Sequence, residues 1–101
     1  MLQNMNKIIQ TDVFSKWLLK LKDKKGKAVV LARINRAKYN NFGDHKFISH
    51  GVYEMRIMDG AGYRVYYANV KGITYLLLCG GDKSTQKKDI EKSIEILKKI
   101  K

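Results

Sequence analysis

Residues 51–67 read GVYEMRIMDGAGYRVYY, and this stretch decides the fold. Apolar and polar side chains alternate on both sides of Asp59-Gly60-Ala61, a pattern typical of two half-buried strands joined by a short turn. We therefore predict a β-hairpin with strands over residues 52–58 and 62–69. A slip of one residue would turn every side chain of a strand to the opposite face. The apolar side chains are at odd-numbered positions in both strands. They therefore lie on the same face of the hairpin only if the residue numbers of each cross-strand pair add up to an even number.

A three-residue turn then fixes the pairing of the two strands. One face receives the apolar pairs Ile57–Tyr63, Met55–Val65 and Tyr53–Tyr67. The other face places Arg56 opposite Arg64 and Glu54 opposite Tyr66. Facing arginines cost about 0.2–1 kcal/mol, and folding gains nothing from them, so we infer an anion site. The alternatives are that both arginines extend apart into solvent, or that Glu54 and Asp59 neutralise them.

The residues before the hairpin predict one strand and two helices. The strand covers residues 7–11, and Thr11 or Asp12 caps the first helix. Spacing of i, i+4 and i+8 gives this helix a buried face of Val13, Trp17 and Leu21. Lys24-Lys25-Gly26 is expected to break it. The second helix should run to about Tyr39 and bury Val30, Ile34 and Ala37.

The remaining segments complete the sheet and add a last helix. Residues 40–44 form a turn cluster, and a period of two begins at Lys46. Residues 73–79 are almost uniformly apolar, which predicts a central strand buried on both faces. The last helix runs to about Lys99, with Ile90, Ile94 and Leu97 inward. The order β-α-α-β-β-β-β-α predicts an α+β fold with an antiparallel-dominated sheet, two N-terminal helices and a C-terminal helix.

Length and composition predict a single cytoplasmic domain over residues 1–101. Residues 1–6 are expected to form a disordered extension without the apolar core of a signal peptide. Cys79 is the only cysteine of the chain, so an intramolecular disulfide is excluded. It is expected to be a buried small hydrophobe. No apolar stretch approaches the roughly 20 residues needed to span a bilayer. One cysteine and two histidines cannot form a closed zinc site, so no metal or other cofactor is expected.

The charge is strongly positive and unevenly distributed. The formal net charge is +12, which favours nucleic acid as the partner over an acidic protein, a membrane surface or a merely solubilising role. Residues 16–38 carry nine Lys/Arg and one acid, residues 83–101 seven and three, and residues 39–82 four of each. The excess therefore belongs to the helices, where Lys24, Lys25 and Lys27 are candidate phosphate contacts.

Lys83 is a third candidate for the anion site. Gly80-Gly81 ends the strand before it, and Ser84 or Thr85 is expected to cap the following helix. Free backbone N–H groups at such a strand-to-helix turn favour a phosphate. Together with the strand arginines, Lys83 predicts a phosphate site at this end of the sheet.

Five segments resemble the RelE/ParE toxin superfamily, in particular its HigB-like, phage-associated branch of addiction-module killer proteins. They are FSKWL (14–18), NFGD (41–44), GVYEMRI (51–57), GYRVYY (62–67) and LCGGDKSTQ (78–86). The resemblance runs from about residue 7 to residue 97. It implies a RelE-like fold and a type II toxin neutralised by a cognate, helix-turn-helix, HigA-like antitoxin. Operator DNA would be contacted only through that antitoxin. It further implies ribosome-dependent mRNA cleavage that inhibits translation.

The resemblance also assigns residues. Arg56 matches a basic strand position of RelE-like ribonucleases, Arg64 matches the arginine that holds the scissile phosphate, and Lys83 matches a basic position after the last strand. Two departures stand out. Residues 83–89 contain neither the tyrosine nor the histidine that many relatives carry there, and Glu54 stands where RelE has lysine.

For a metal-independent cleavage, the ribose 2′-OH attacks the adjacent phosphate. Arg56, Arg64 and Lys83 would stabilise the developing charge. Glu54 is the first candidate for the general base and Asp89 the second. His45 and His50 are weaker candidates, and Tyr66 is expected to stack on a base or to donate a proton.

Two other functions stay open from the residues. One is a ParE-like gyrase poison that acts through protein contacts, and the other is a nucleic-acid-binding relative without catalytic activity. The facing arginines favour RNA over a purely protein-binding role.

Overall fold

Strands and helices follow one another in the predicted order along residues 5–57, 60–72 and 74–100, which a computed structural model of the chain describes. They are β1 Lys7–Gln10, α1 Asp12–Lys20, α2 Lys24–Ala37, β2 His45–Ser49, β3 Val52–Ile57, β4 Tyr63–Lys71, β5 Thr74–Gly81 and α3 Gln86–Ile100, with a 3-10 turn at Lys83–Thr85. The strand order is β1-β5-β4-β3-β2. Strands β1 and β5 are parallel and the other neighbours antiparallel. The predicted α+β class is confirmed.

The hairpin forms in the predicted register. Strands β3 and β4 pair Arg56 with Arg64 and Glu54 with Tyr66, and the three apolar pairs also form as expected. The strand predicted to be central is β5, which lies inside the sheet between β1 and β4. The middle of the five strands is β4. Strand β5 contributes to both cores and is therefore buried on both faces, as predicted.

The sheet separates two hydrophobic cores. Helices α1 and α2 cover one face, where Phe14, Leu18, Val30 and Ile34 pack on side chains of β3, β4 and β5. Helix α3 covers the other face, where Leu97 packs against a cluster that includes Tyr66, Leu78 and Cys79. Cys79 is 1% exposed, in agreement with its expected role as a small hydrophobe. The arginines of the hairpin lie on the face that α3 covers.

The helix predictions need two corrections. In α1 the buried residues are Phe14 and Leu18, whereas the predicted Val13, Trp17 and Leu21 are only partly buried. Trp17 packs in the core under α1 and α2, the first core, and Val13 packs in the core under α3, the second core. Helix α1 therefore contacts both cores, and its apolar face is wider than a single i, i+4 series of residues. Lys24-Lys25-Gly26 does not break a helix but forms the first turn of α2. The carboxylate of Asp23 caps that turn by accepting the Gly26 N–H at 3.0 Å.

Other expectations for the helices are met. Thr11 caps α1 by accepting the Phe14 N–H at 3.1 Å, and Val30, Ile34 and Ala37 are the buried apolar residues of α2. Asn6, which falls in the expected disordered extension, instead donates its side-chain amide to the Ala37 carbonyl at 2.9 Å. The first four residues of that extension lie outside the described residues. In the described part of the chain, each helix is too short or too polar to cross a bilayer.

Gly80 is required by the packing of Trp17. A Cβ atom at Gly80 would lie 2.1 Å from the Trp17 ring. That ring also packs edge-on against Tyr63 at a centroid distance of 6.2 Å. We expect Gly80→Ala to destabilise the fold by about 1–3 kcal/mol through overpacking and to lower the melting temperature by about 4 °C or more. Thermal unfolding followed by circular dichroism measures the change.

Two variants control this measurement. Ala32→Ser, at an exposed position of α2, should leave the melting temperature nearly unchanged. Adding Trp17→Leu to Gly80→Ala should cost less than the two single substitutions together, because the smaller side chain relieves the overlap. Strict additivity of the two would refute the clash.

Candidate phosphate-binding site

The two facing arginines are bridged by Glu54. Arg56 of β3 pairs with Arg64 of β4, which in turn pairs with Gly81 of β5. Glu54, two residues before Arg56 on the same strand, lies on the same face of the sheet. Its carboxylate oxygens lie 3.0 Å from Arg56 Nε and 3.5 Å from Arg64 Nε. The expected alternative, that Glu54 neutralises the arginines, therefore holds in part. The second carboxylate of that alternative, Asp59, lies outside the described residues.

Two neutral side chains complete the surroundings of this carboxylate. The Tyr66 hydroxyl donates to Glu54 Oε2 at 3.2 Å, and the Gln86 side-chain amide donates to the same oxygen at 2.8 Å. Glu54 is 0% exposed. A buried carboxylate requires such donors, because an unpaired buried charge is strongly unfavourable. We call Glu54, Tyr66, Gln86 and the two arginines the Glu54 cluster.

The cluster keeps Glu54 ionised. Burial alone raises the pKa of Glu54, but hydrogen bonds from Gln86, Arg56 and Tyr66 outweigh burial and hold the pKa below its ordinary value. Burial, followed by the charge of Glu54, raises the pKa of Tyr66 far above its ordinary value. At neutral pH Glu54 is therefore an ionised acceptor and Tyr66 a neutral donor. Glu54 was the first candidate for the general base. A carboxylate with a lowered pKa and donors on both oxygens is poorly suited to take up a proton, so this arrangement does not favour that role.

The main chain fixes the position of Arg56. Its N–H donates to the Asp44 carbonyl at 2.8 Å, and its carbonyl accepts from the Arg33 guanidinium at 2.6 Å. In the side chain, Nε binds Glu54. The terminal amino groups of Arg56 form no hydrogen bond with any described residue, and the side chain is 34% exposed. An arginine has five N–H donors, so Arg56 keeps several of them for a ligand.

Arg64 is more deeply buried. Its side chain is 8% exposed, and Nη1 donates to the Gly62 carbonyl at 2.7 Å. The separation of 3.5 Å from Nε to Glu54 is too long for a good hydrogen bond, and the Nε–H has no partner among the described residues. Two guanidinium groups against one carboxylate leave one positive charge. The pair therefore retains both charge and donors for an anion.

The hairpin turn brings Lys83 to the same end of the sheet. The Lys83 N–H donates to the Ala61 carbonyl at 3.4 Å. A Cβ atom at Gly62 would lie 3.5 Å from Lys83 Cβ and 3.4 Å from Arg64 Nη1. With a φ of +74°, Gly62 also occupies the left-handed region that favours glycine. The turn thus holds Lys83 beside Arg64.

The first turn of α2 lies at this end as well. Asp23, its cap, accepts the Tyr63 hydroxyl at 2.7 Å, and a Cβ atom at Gly60 in the hairpin turn would lie 3.3 Å from the Asp23 carboxylate. The expected phosphate contacts Lys24, Lys25 and Lys27 follow Asp23 directly. Positive charges at a helix N-terminus interact unfavourably with the helix dipole, so these three lysines do not stabilise α2. They do make its N-terminus favourable for binding an anion.

The predicted phosphate cradle after β5 is not available. Asp82, rather than Ser84 or Thr85, caps the turn, and its carboxylate accepts the Ser84 N–H at 2.9 Å. A carboxylate at this position occupies the N–H group and repels a phosphate. Gly80 and Gly81 belong to β5, and a Cβ atom at Gly81 would overlap the Asp89 carboxylate at 1.8 Å. The two glycines serve close packing on opposite faces of the strand.

Other expected site residues lie outside this arrangement or only support it. Tyr66 is 0% exposed, so it presents no face on which an RNA base can stack, and its expected contact with RNA is not supported. His45 lies on the opposite face of the sheet, since it pairs with Met55 of the first core. His50 is exposed in the turn between β2 and β3. Asp89 accepts from Thr85 beside Gly81, and burial raises the pKa of Asp89.

Sequence reasoning missed two residues that hold the site. Gln86 ends the segment LCGGDKSTQ, and no periodicity links it to a carboxylate 32 positions away. Arg33 was counted among the basic residues of α2, yet its guanidinium donates to three main-chain carbonyls, those of Phe42, Asp44 and Arg56. A lone arginine on the buried side of α2 was the only indication available.

Comparisons with known proteins agree with this fold. The model of the phage-derived Gp49-like protein family (DUF891) matches residues 16–101. An uncharacterized protein of Haemophilus influenzae is 52% identical over 83 residues, which are 82% of this chain and 84% of that protein. The structure of a double arginine-to-alanine variant of the E. coli toxin RelE in the free state superposes with a TM-score of 0.67. It covers 86% of this chain and 96% of RelE at 11% identity, a likeness that shows the fold.

Proposed function

Since this chain belongs to the phage-derived Gp49-like family and has the fold of RelE, we propose that it is the toxin of a type II toxin–antitoxin pair and cleaves messenger RNA on the ribosome. The observation that carries this proposal is the Glu54 cluster. A buried carboxylate orients two arginines whose unused N–H groups remain available for a phosphate. The HigB-like branch, suggested by the sequence resemblance, belongs to the same proposal.

In the reaction we propose, the 2′-OH of a ribose attacks the adjacent phosphorus. A cyclic phosphate forms, the P–O bond to the next nucleotide breaks, and the leaving 5′ oxygen takes up a proton from water to give a free 5′-OH. Arg56, Arg64 and Lys83 stabilise the charge that develops on the phosphoryl oxygens. No metal takes part in this scheme. The lysines of α1, α2 and α3 steer the protein to RNA and contact phosphates outside the cleavage site.

The proton acceptor we propose is Asp89, the second candidate from the sequence. It lies on the same face as Arg64, next to Gly81, the residue that pairs with Arg64. Burial raises the pKa of Asp89 toward the range in which a general base is effective at neutral pH. Glu54 is a positioning residue in this scheme, since its oxygens are already occupied by donors.

The experiment that tests the proposal is 5′-end mapping of cellular mRNA after induced expression, together with a supercoiling assay on purified gyrase. We expect new mRNA ends that carry 5′-OH groups, arrested translation and unchanged supercoiling. Blocked supercoiling with intact mRNA would instead establish a ParE-like gyrase poison. Association with RNA without new ends would establish a binding protein that lacks nuclease activity.

The antitoxin we propose is a helix-turn-helix, HigA-like protein that binds operator DNA and places an acidic segment over this end of the sheet. Arg56 is the accessible member of the arginine pair, so an acidic side chain at Arg56 would compete directly with RNA phosphate. The lysines in the first turn of α2 would widen that contact. A complex that leaves Arg56 and these lysines open to solvent would contradict this arrangement.

A further inference from the structure

A cleft lies on the face of the sheet opposite the Glu54 cluster. Its volume is about 320 Å³, within the size range of ligand pockets, roughly 300–1,000 Å³. Four aromatic residues line it, namely Phe42, Tyr53, Tyr67 and Tyr75, together with two asparagines, Asn40 and Asn69. We call this cavity the aromatic cleft. The proposed cleavage chemistry uses none of its residues.

The rings in the aromatic cleft form a stack. Phe42 lies on Tyr67 with an interplanar angle of 18° and a centroid distance of 5.1 Å. Tyr53 lies on Tyr67 at 20° and 5.5 Å. Tyr67 is 2% exposed and lies in the centre of the stack, whereas Tyr53 is only partly buried. Phe47 meets Tyr53 edge-on at a centroid distance of 5.2 Å, and the part of the Tyr53 ring that remains exposed is the aromatic surface that the stack offers to a further flat ring.

Several polar groups of the cleft form no hydrogen bond with a described residue. The Tyr67 hydroxyl forms no hydrogen bond with any described residue, although Tyr67 as a whole is only 2% exposed and lines the cleft. Burial, followed by the nearby hydroxyls of Tyr75 and Tyr53, raises the pKa of Tyr67, so this hydroxyl stays neutral. Asn69 donates its amide to the Gly72 carbonyl and keeps its oxygen as an acceptor.

His45 adds an acceptor at the rim. Its Nδ1 lies 2.8 Å from the Gly43 carbonyl. Since a carbonyl only accepts, Nδ1 carries the proton, and in the neutral ring Nε2 is free to accept. The cleft thus combines flat aromatic surfaces with several separate hydrogen-bonding groups. This combination matches a nucleobase, which is flat and carries donors and acceptors along its edge.

We propose that the aromatic cleft binds an unpaired base of single-stranded RNA, away from the point of cleavage. This inference rests on the proposed function only in taking RNA as the polymer. The net charge of +12, which the helices carry, attracts a polyanion to the protein, and the cleft, whose lining has no Lys, Arg, Asp or Glu, suits a base rather than a phosphate. Size agrees, because the cleft is large enough for one base and too small for a docked helix.

Arg33 connects the cleft with the Glu54 cluster. Its guanidinium donates to the Phe42 carbonyl at 2.9 Å, on the wall of the cleft, and to the Arg56 carbonyl at 2.6 Å. Arg33 thus links the main chain of Phe42 at the cleft to the main chain of Arg56 in the proposed site.

Photocrosslinking tests the proposal without requiring cleavage. The probe is a 2′-O-methyl oligonucleotide with a single 5-iodouridine, which lacks the 2′-OH that cleavage requires. After irradiation with the purified protein, mass spectrometry of the peptides should place the adduct on Tyr53 or Phe42. Adducts confined to residues outside the cleft, such as Trp17, would overturn the proposal.

Binding measurements with matched variants provide the second readout. Stacking accounts for a large share of affinity for single strands, so Tyr53→Leu should weaken oligonucleotide binding at least about fivefold. Tyr53→Phe, which keeps the ring, should bind like the wild-type protein. Tyr39→Leu is the control, because Tyr39 is exposed at 56% and lies near Asn40 without lining the cleft. Equal affinity of the Tyr53→Leu and wild-type proteins would refute a base in the cleft.

Two further variants separate this inference from others. Tyr67→Phe removes one hydroxyl and should reduce discrimination among the four homopolymers while the melting temperature stays unchanged. Arg64→Ala should stop cleavage of unmodified RNA yet keep the adduct on Tyr53, so failure of the proposed nuclease and failure of the cleft are distinguishable. If Tyr53→Leu weakens antitoxin binding and leaves RNA binding intact, the cleft belongs to a protein partner and the proposal is wrong.

Discussion

Replacing Arg64 with alanine should abolish growth arrest and lower the rate of RNA cleavage by about 10²–10³, the loss typical of a missing donor to a transition-state anion. The Arg64 side chain is largely buried, and its Nε lies 3.5 Å from the Glu54 carboxylate. Its Nη2 group forms no hydrogen bond with any described residue and is the donor available for a phosphate. Single-turnover cleavage of a model RNA on programmed ribosomes measures the change.

Arg64→Lys and Arg36→Ala are the controls for this prediction. Arg64→Lys keeps the charge but loses the planar fork, so it should also lose most of the activity. Arg36 is exposed near the end of α2, and Arg36→Ala should retain full cleavage. Melting curves identify any loss that is due to unfolding. A folded Arg64→Ala protein with undiminished growth arrest would show that the proposed site is wrong.

The second large effect is expected at Glu54. Glu54→Leu removes the only carboxylate that the described residues place between Arg56 and Arg64. Removing one partner of a buried ion pair typically destabilises a protein by about 3–5 kcal/mol, because the remaining charge stays buried and unpaired. A domain of this size is stable by about 5–15 kcal/mol in total. The expected loss is therefore a large part of the free energy of unfolding, and urea unfolding of the variant measures it.

Other substitutions separate the positioning role from a catalytic one. Adding Arg64→Met to Glu54→Leu should recover stability, since the unpaired charge is removed as well. Glu95→Gln is the matched surface control, because its ion pair with Lys98 spans 3.9 Å and is exposed, and its loss should not be measurable. If Glu54→Gln abolishes cleavage while leaving stability and RNA affinity intact, Glu54 is the base and the positioning role is wrong.

The pH dependence of stability follows from the same residue. The pKa of Glu54 in the folded protein lies below its ordinary value, so ionised Glu54 stabilises the fold above its unfolded pKa. This contribution is lost as the pH falls through the lower pKa of the folded state. Glu54→Gln should flatten the acid limb of the stability curve.

Local patterns predicted most of the fold. The alternation in residues 51–67 determined the register of β3 and β4 residue by residue, because one face had to be apolar. The i, i+4 spacing of Val30 and Ile34 identified the buried face of α2. The same rule was one position wrong in α1, since a helix that contacts two cores has no single buried row. Pattern rules succeed where an element faces one core only.

The site was predicted less completely because its interactions are long-range. The arginine pair followed from the hairpin register, but the state of Glu54 depends on Gln86, which only the docking of α3 brings within 2.8 Å. The cap after β5 was also assigned to the wrong residues, since Asp82, Ser84 and Thr85 are all good caps and local geometry decides between them. The aromatic cleft joins side chains from the loop after α2 and from the four strands β2 to β5, which no linear motif expresses.

The pairing of β1 with β5 has a consequence for synthesis. Lys7 pairs with Thr74, so β1 waits until β5, the last of the described strands, has been made before it joins the sheet. Gln86, which anchors Glu54, is translated later still. A nascent chain thus cannot assemble the proposed site until residue 86 has left the exit tunnel. Under the proposed function, the translating ribosome does not meet an assembled site before that point.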